Sequence, residues 1–488
     1  MNPSTRSPVL YALILMATSG CTVGPEYVPP DLDVGEGWST EAVESSTEPV
    51  AVESVAVESP AAPGSSPSPG PWWTVFGDAT LDRLVGTALA ENLDLRTAAA
   101  RIAEASATRD WTEGRRRPTV DADGRVDERR QSENGTLPID RIPDLERDQT
   151  VFDVGVGLSW EPDIVGRTRR ALEAAEARLH SAEAERRAAR LAVASAVTRT
   201  YLTLRTGQRE LDAAEAAVDA ARHTAELVAL RVEAGEDPAV ELARIEAELR
   251  TLESRLPGLR STVRAQALAL GPLTGGLPEA ELPLLDTPPP PLGLAPLPVG
   301  ERAEILRRRA DVLIAERQLA AATADIGLAT AELYPRLSIG ARGGFQALDL
   351  GDLVDGSSVT WSIVPAITWR LLDGGRVRAE IRIAEARAEA AALGWESTVL
   401  DALAEAEVAL ARYRADLEAL DLEHDARDAA RTVRDLERAR HRAGDVPLLT
   451  LLDAERRLEE TEASVAATQG RAADGLVSLI QALGGGWG

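Results

Sequence analysis

From Arg376 to Ala443 the chain runs 68 residues without a proline and with one glycine, Gly394. At roughly 1.5 Å per residue such a helix reaches about 100 Å, several times the usual length in a globular domain. Within it Val399, Leu403, Ala406, Leu410, Tyr413, Leu417 and Leu420 step alternately by four and three, the seam of a helix packed along its length against others. Upstream, Val359, Trp361, Ile363, Pro365, Ile367 and Trp369 alternate with Ser358, Thr360, Ser362 and Thr368, which predicts a strand feeding the helix through Asp373-Gly374-Gly375. Downstream, Gly444 followed by Asp445-Val446-Pro447 predicts a reversal into a returning helix.

The design occurs twice. Trp160, Gly166, Arg167, Arg169, Arg231, Gly235 and Pro238 recur 209 positions later as Trp369, Gly375, Arg376, Arg378, Arg440, Gly444 and Pro447. Ala98, Ala103, Ala105, Ala107 and Pro118 recur at an offset of 217, so the first hairpin carries a loop eight residues longer. A shared offset without gaps means internal duplication. Each copy is helix, strand, loop, strand, long helix, sharp turn, returning helix.

Four strands are expected, at about 117–128, 151–160, 335–346 and 358–370, each close to the 9–11 residues that cross a bilayer when tilted. Taken alone, such a hairpin is more often half of a soluble sheet with one wet face. The chain's start favours the membrane. Met1 to Gly20 reads as a secretory signal, and Cys21, the only cysteine, stands where cleavage would make it the first residue. Ser19-Gly20-Cys21 resembles a lipoprotein box, with Thr18 where Leu is usual and Thr22 favouring the outer membrane. Four strands cannot close a barrel by themselves, so several protomers must share one.

Composition bounds the rest. Aromatics are 3% of the chain, so the helices must pack largely through Ala and Leu. All 53 basic residues are arginine, against 79 acidic ones, and a net charge of −26 repels nucleic acid. Residues 41–70 repeat Ala-Val-Glu-Ser and end in Pro, Gly and Ser, a tether that cannot bury a core. The segmentation is then signal peptide 1–20, tether 21–70, first repeat 71–285 with its long helix at 168–234, Pro-rich linker 286–300, second repeat 301–470 with its long helix at 376–443, and tail 471–488. His180, His223, His424 and His441 lack metal-ligand spacing, and no nucleophile elbow, P-loop or dinucleotide fingerprint occurs. No enzymatic activity, metal or cofactor is expected.

Leu306-Arg307-Arg308-Arg309-Ala310-Asp311-Val312, Ala315-Glu316, Ala324-Asp325-Ile326-Gly327 and Tyr334-Pro335 resemble the signature of the outer-membrane factors, the TolC/OprM-like, NodT-type efflux lipoproteins. Val23-Gly24-Pro25, Trp72-Trp73, Leu451-Leu452-Asp453-Ala454 and the Ala482 to Trp487 ending fit as well. Departures are the acidic insert at 41–70 and Ala310, where Pro is usual. The resemblance implies a mainly α fold with membrane β structure: a homotrimer whose four strands per protomer form one outer-membrane barrel, continued by a helical barrel through the periplasm. A collar is expected from residues before Asn92, the middle linker and the C-terminal tail.

It further implies a passive exit duct for drugs or other toxic small molecules in a tripartite pump, with a periplasmic adaptor and an inner-membrane transporter of the RND type as partners. Palmitate-bearing Cys21 is the expected anchor, and Gly235 and Gly444 are the expected adaptor-docking tips. Asp453 is expected at the constriction, with Thr450 replacing a second acidic ring. Glu241 and His441 occupy the places of a latch between helices; His in place of Tyr would make that latch hold only where imidazole is protonated and carboxylate ionised. Two other readings stay open: a structural periplasmic coiled-coil lipoprotein, which leaves the amphipathic strands unexplained, and a duct for metal ions or a secreted protein. A membrane-anchored enzyme would lack any candidate site.

Overall fold

The computed structural model describes residues 22–31, 34–35, 37–39, 71–132, 146–291, 293–294 and 301–485. Cys21, the signal and the 41–70 tether lie outside them. In chain order the elements are α1 (Ala79–Glu91), α2 (Leu93–Gly114), β1 (Thr119–Arg130), β2 (Asp148–Trp160), α3 (Arg167–Glu233), α4 (Ala239–Leu273), α5 (Arg302–Arg308), α6 (Ala310–Ala331), β3 (Arg336–Ala347), β4 (Val359–Thr368), α7 (Arg376–Arg442) and α8 (Leu448–Ala482). The long helices α3 and α7 each have 67 residues. The chain divides into two compact units, Met1–Pro30 with Arg101–Ala182 and Ile314–Trp395, and Asp31–Ala100 with Glu183–Leu313 and Glu396–Gly488.

The first unit holds an antiparallel meander in the order β1-β2-β3-β4. Its register aligns Val120 with Leu158, Ala122 with Val156, Leu158 with Ala341, and Ala341 with Ile363, so one face collects the apolar residues of all four strands. That face is bare: Trp361 is 77% exposed and Ile367 73%. A soluble monomer rarely leaves so wide an apolar patch uncovered. Among the described residues β1 and β4 are free edges of the sheet. Among the described residues no helix is long and apolar enough to cross a membrane.

An N-terminal strap lies against the same unit. Val23 donates its N–H to the Val165 carbonyl at 3.1 Å, while Arg170 donates to the carbonyls of Val23 and Gly24 at 3.0 and 3.1 Å. Gly24, at φ +86°, sits on Gly327, whose own missing side chain leaves room for Arg170. Tyr27 closes the strap with a 2.9 Å hydrogen bond to Glu316; burial first, then that bond, pushes its phenol pKa up.

The second unit is built around one apolar cluster. Leu81, Leu84 and Val85 of α1 pack with Val197, Tyr201 and Leu204 of α3, with Leu270 of α4, with Leu284 just ahead of the middle linker and Leu294 within it, and with Leu476, Leu479 and Ile480 of α8. Residues before Asn92, the middle linker and the C-terminal tail thus contribute to one core. Asp78 caps α1 by accepting from Thr80 N–H at 2.8 Å and also accepts from the Tyr201 hydroxyl. Burial and then that carboxylate push Tyr201 up to about 12. Of the seam on α7, Val399, Ala406, Leu410, Tyr413 and Leu420 are buried, and small buried residues such as Ala402 and Ala409 run beside them.

Candidate functional site

Each long helix ends in the same turn. Gly235 has φ +77° and Gly444 φ +81°. In the first, Gly235 N–H donates to Val232 and Glu236 N–H to Arg231; in the second, Gly444 donates to His441 and Asp445 to Arg440. This is the Schellman pattern, which satisfies the last carbonyls of a helix and needs a residue tolerant of the left-handed region. A Cβ on either glycine would meet nothing within 4 Å, so backbone conformation, not crowding, selects Gly there. Pro238 and Pro447 then start the returning helices with φ of −73° and −68°. Around the turns Leu227 and Val240 of the first hairpin and Leu436 and Leu449 of the second are exposed. Both pairs obey the 209-residue repeat.

Between α3, α4 and α8 lies a cavity of about 160 Å³ whose lining brings Glu241 and Asp453 together with Glu248, Glu455 and Glu459. Asp453 is exposed, with Arg456 3.4 Å away on its own helix. Glu455 is held by Arg438 at 2.8 Å. Burial pushes the Glu459 carboxyl above its ordinary range, Glu455, Glu248 and Glu462 add to the shift, and Arg255 works against it. Glu241 lies 3.7 Å from Arg244, and His441 Nδ1 lies 3.0 Å from the Val446 carbonyl. In the single chain each is thus engaged within its own segment, not with the other. Thr450, half-buried in the first turn of α8, donates its N–H to Pro447.

The face of the sheet opposite the apolar one carries its own network. Arg342 of β3 bridges Asp123 of β1 and Asp153 of β2, and Gln346 donates to Asp153 at 3.1 Å. Three strands are thus tied together by charge on a face that needs water or polar neighbours.

A family model for outer membrane efflux proteins matches residues 84–276 and 302–485, that is, both copies of the repeat. The chain belongs to that family. It is an outer-membrane efflux protein extending into the periplasm, not an enzyme. Among its relatives, Nodulation protein T of Rhizobium leguminosarum bv. viciae is 30% identical over 98% of this chain and 93% of its own length. Outer membrane protein OprJ of Pseudomonas aeruginosa is 30% identical over 97% and 95%. The solved outer-membrane channel OprN is similar over 96% of this chain and all of its own, at 31% identity and a TM-score of 0.82.

The efflux-family signature at Leu306–Val312 acquires a physical role. Arg309, 7% exposed, lies between α5 and α6 and donates to the Ala482 carbonyl at the end of α8, to Asp311 at 3.1 and 2.8 Å, and to Glu405 of α7 at 2.6 Å. Its extended backbone, φ −63° and ψ 126°, separates the two helices even though Ala310 stands where Pro is usual in the family. Burial alone would raise the Asp311 carboxyl, but the Arg309 hydrogen bonds and charge outweigh it and hold it below the usual range. Sequence reasoning used this arginine only as a signature and missed the Arg342 bridge and Glu459. Asp123 and Asp153 for Arg342, Glu405 and Ala482 for Arg309, and Glu248 for Glu459 all come from elements far apart in the chain.

Proposed function

We propose that three copies of this chain form a passive exit duct of a tripartite efflux pump, their 3 × 4 strands closing one barrel and their long helices continuing it through the periplasm. The observation that carries this reading is the open four-stranded sheet, apolar and bare on one face, charged on the other, with both edges unpaired. Closure with two more copies would pair the edges, put the apolar face in lipid and turn the Arg342 network toward an aqueous bore. A periplasmic coiled-coil lipoprotein would have no use for that sheet.

The tips at Gly235 and Gly444 would dock a periplasmic adaptor through their exposed apolar residues, and an inner-membrane pump of the RND type would supply the energy. Asp453 would form the constriction, with Thr450 beside it, and Glu241 and His441 would meet only in a closed trimer. Cys21 would carry lipid: Thr22, the next residue, lies against Gly166 at the start of α3 and accepts a hydrogen bond from Arg169.

The cargo we propose is a small toxic molecule. Relatives include a solvent efflux pump outer membrane protein of Pseudomonas putida and a cation efflux system protein of Escherichia coli, so metal ions are the second cargo class to test. The deciding measurement is single-channel conductance of the purified protein in planar bilayers, alongside dye accumulation in cells lacking it. Discrete pores and raised accumulation are expected. No pores with normal dye efflux would leave the coiled-coil reading instead. Cys21→Ser should abolish lipid labelling while the trimer still reaches the outer membrane.

A further inference from the structure

The register places the start of β1, the end of β2, the start of β3 and the end of β4 at one end of the sheet, since Thr119 pairs with Ser159, Trp160 with Ile339 and Arg336 with Thr368. Five exposed arginines gather in the segments that leave this end: Arg115, Arg116 and Arg117 ahead of β1, and Arg376 and Arg378 at the start of α7. None of the five has an ion pair among the described residues. Arginines without an ion pair also occur along the helices, but here five of them leave one end of the sheet. Arg376 lies in the field of Asp373, but that carboxylate already accepts from Gly375 and Val377 N–H at 2.9 and 2.7 Å. At the opposite end the β3–β4 connection carries Asp349, Asp352 and Asp355 and no arginine, while Arg130, at the end of β1, pairs with Asp148 at 3.5 Å.

Apolar side chains stand in the same band. Leu371 and Leu372, between β4 and α7, are 78% and 95% exposed, Trp369 is 55% exposed, and Trp111 is 69% exposed with the Arg115 guanidinium 5.6 Å from its ring centre. Exposed Leu and Trp beside free guanidiniums match a membrane interface, where the apolar groups enter the acyl layer and the cations stay at phosphate height.

The duplication sharpens the argument, because the first copy shows what covers the equivalent ground. There Arg167 pairs with Glu332 at 3.1 Å, Arg169 donates to Thr22, and Thr22 lies against Gly166. In the second copy the counterparts are Arg376, Arg378 and Gly375, and Gly375, with the same positive φ, has nothing within 4 Å of its would-be Cβ. Among the described residues one strap serves two copies, and none of them covers Gly375.

We propose that this band binds the headgroups of anionic phospholipids in the leaflet facing the helices, with Arg376 and Arg378 of the second copy as its centre and Arg115 to Arg117 extending it. The proposal rests on the reading that the sheet is inserted in a bilayer. Each guanidinium offers a fork of donors to phosphate oxygens, and an anionic surface attracts each such cation.

The test is lipid selectivity of the full-length protein in vesicles, read by tryptophan quenching with brominated phosphatidylglycerol against brominated phosphatidylcholine. Carbonate-resistant insertion is scored separately. Wild type should prefer phosphatidylglycerol by roughly fivefold at low salt, the preference falling toward unity at about 0.5 M. Replacing the five arginines by Gln should leave insertion intact and remove the preference; replacing them by Lys should keep most of it. Insertion without preference in wild type, a preference indifferent to salt, or one that survives in the Gln variant overturns the lipid site while leaving the inserted sheet standing. If the Gln variant fails to insert, the wild-type salt titration decides by itself. A wild type that inserts in neither lipid overturns both readings.

Discussion

Trp160 and Trp369, 209 positions apart, make the same hydrogen bond: each indole N–H donates to a backbone carbonyl at 3.0 Å, to Arg116 in the first copy and to Leu333 in the second. The acceptors are 217 positions apart, the offset that relates the upstream halves of the copies. Duplication has thus preserved a tie between the last turn before one strand and the end of its partner, at the end of the sheet where the helices begin. Ties of this kind are what let an eight-residue difference in the outer loop leave both hairpins equivalent.

Arg309→Ala should be destabilising. It leaves the Ala482 carbonyl without its donor, while Asp311 and Glu405, each about half exposed, exchange the guanidinium for water, so the cost should be about 1–3 kcal/mol, most of it from the unsatisfied carbonyl and the lost packing. The sign of the pH effect follows from Asp311. Its folded pKa is depressed, so its contribution is present above the unfolded value, about 3.9, and is lost as pH falls through the lower folded value. Thermal unfolding should show wild type losing stability on acidification in that range, with a shallower slope in Asp311→Asn. Equal slopes would remove Arg309–Asp311 as the cause.

At the tips, Gly235→Ala and Gly444→Ala should each cost about 1–2 kcal/mol of local stability, because an L side chain resists the left-handed region although space is open. If this turn docks the adaptor, as proposed, Gly444→Asp should abolish efflux while the proposed trimer persists as a heat-modifiable band on gels, since the added charge lies among the exposed apolar residues of the turn. Wild-type efflux at wild-type expression would show that this tip is not the docking surface.

The tips also show what a sequence can disclose. Gly235 and Gly444 were readable because positive φ restricts the choice of residue, and the long helices because proline is absent from 376–443. Strand ends were less so. β2 begins at Asp148, three residues before its apolar alternation, because Asp148, Gln149 and Thr150 pair through backbone with Arg130, Arg129 and Glu128. β4 ends at Thr368, short of Arg370, where Trp369 turns to the Leu333 carbonyl. Asp123, Asp153 and Arg342 were each readable as polar-face residues, but their meeting depends on strand order, which alternation does not encode. Glu459 gave no signal at all, since a glutamate in a charged helix looks solvated until α4 is packed against it.

Glu459 should make the packing of α4 against α8 depend on pH. Its folded pKa is raised, so the stability it allows is fully present below the unfolded value, about 4.3, and is lost as pH rises through the folded value. Hydrogen exchange around 245–255 and 455–462 should quicken more from pH 5 to 7.5 than intrinsic chemistry requires, and Glu459→Gln should remove the excess. An unchanged excess in that variant would assign the loosening to another group.

Asp453, the proposed constriction residue, is exposed on the first turns of α8, with Arg456 3.4 Å away. If three copies bring three such carboxylates around one axis, each competes with its own arginine for cations entering the duct, and the exposed pair is worth little by itself. The two residues then predict opposite effects. Asp453→Asn should weaken block of single-channel current by a trivalent hexammine cation by about tenfold, because the multivalent ion loses three converging charges. Arg456→Gln should strengthen the same block, because the carboxylates lose their internal counter-ion. Thr450→Asp, restoring an acid one turn earlier, should strengthen it too. Block that responds to Arg456→Gln but not to Asp453→Asn would place the constriction elsewhere along the duct, with the Glu241, Glu248 and Glu455 lining of the adjoining cavity next to be tested.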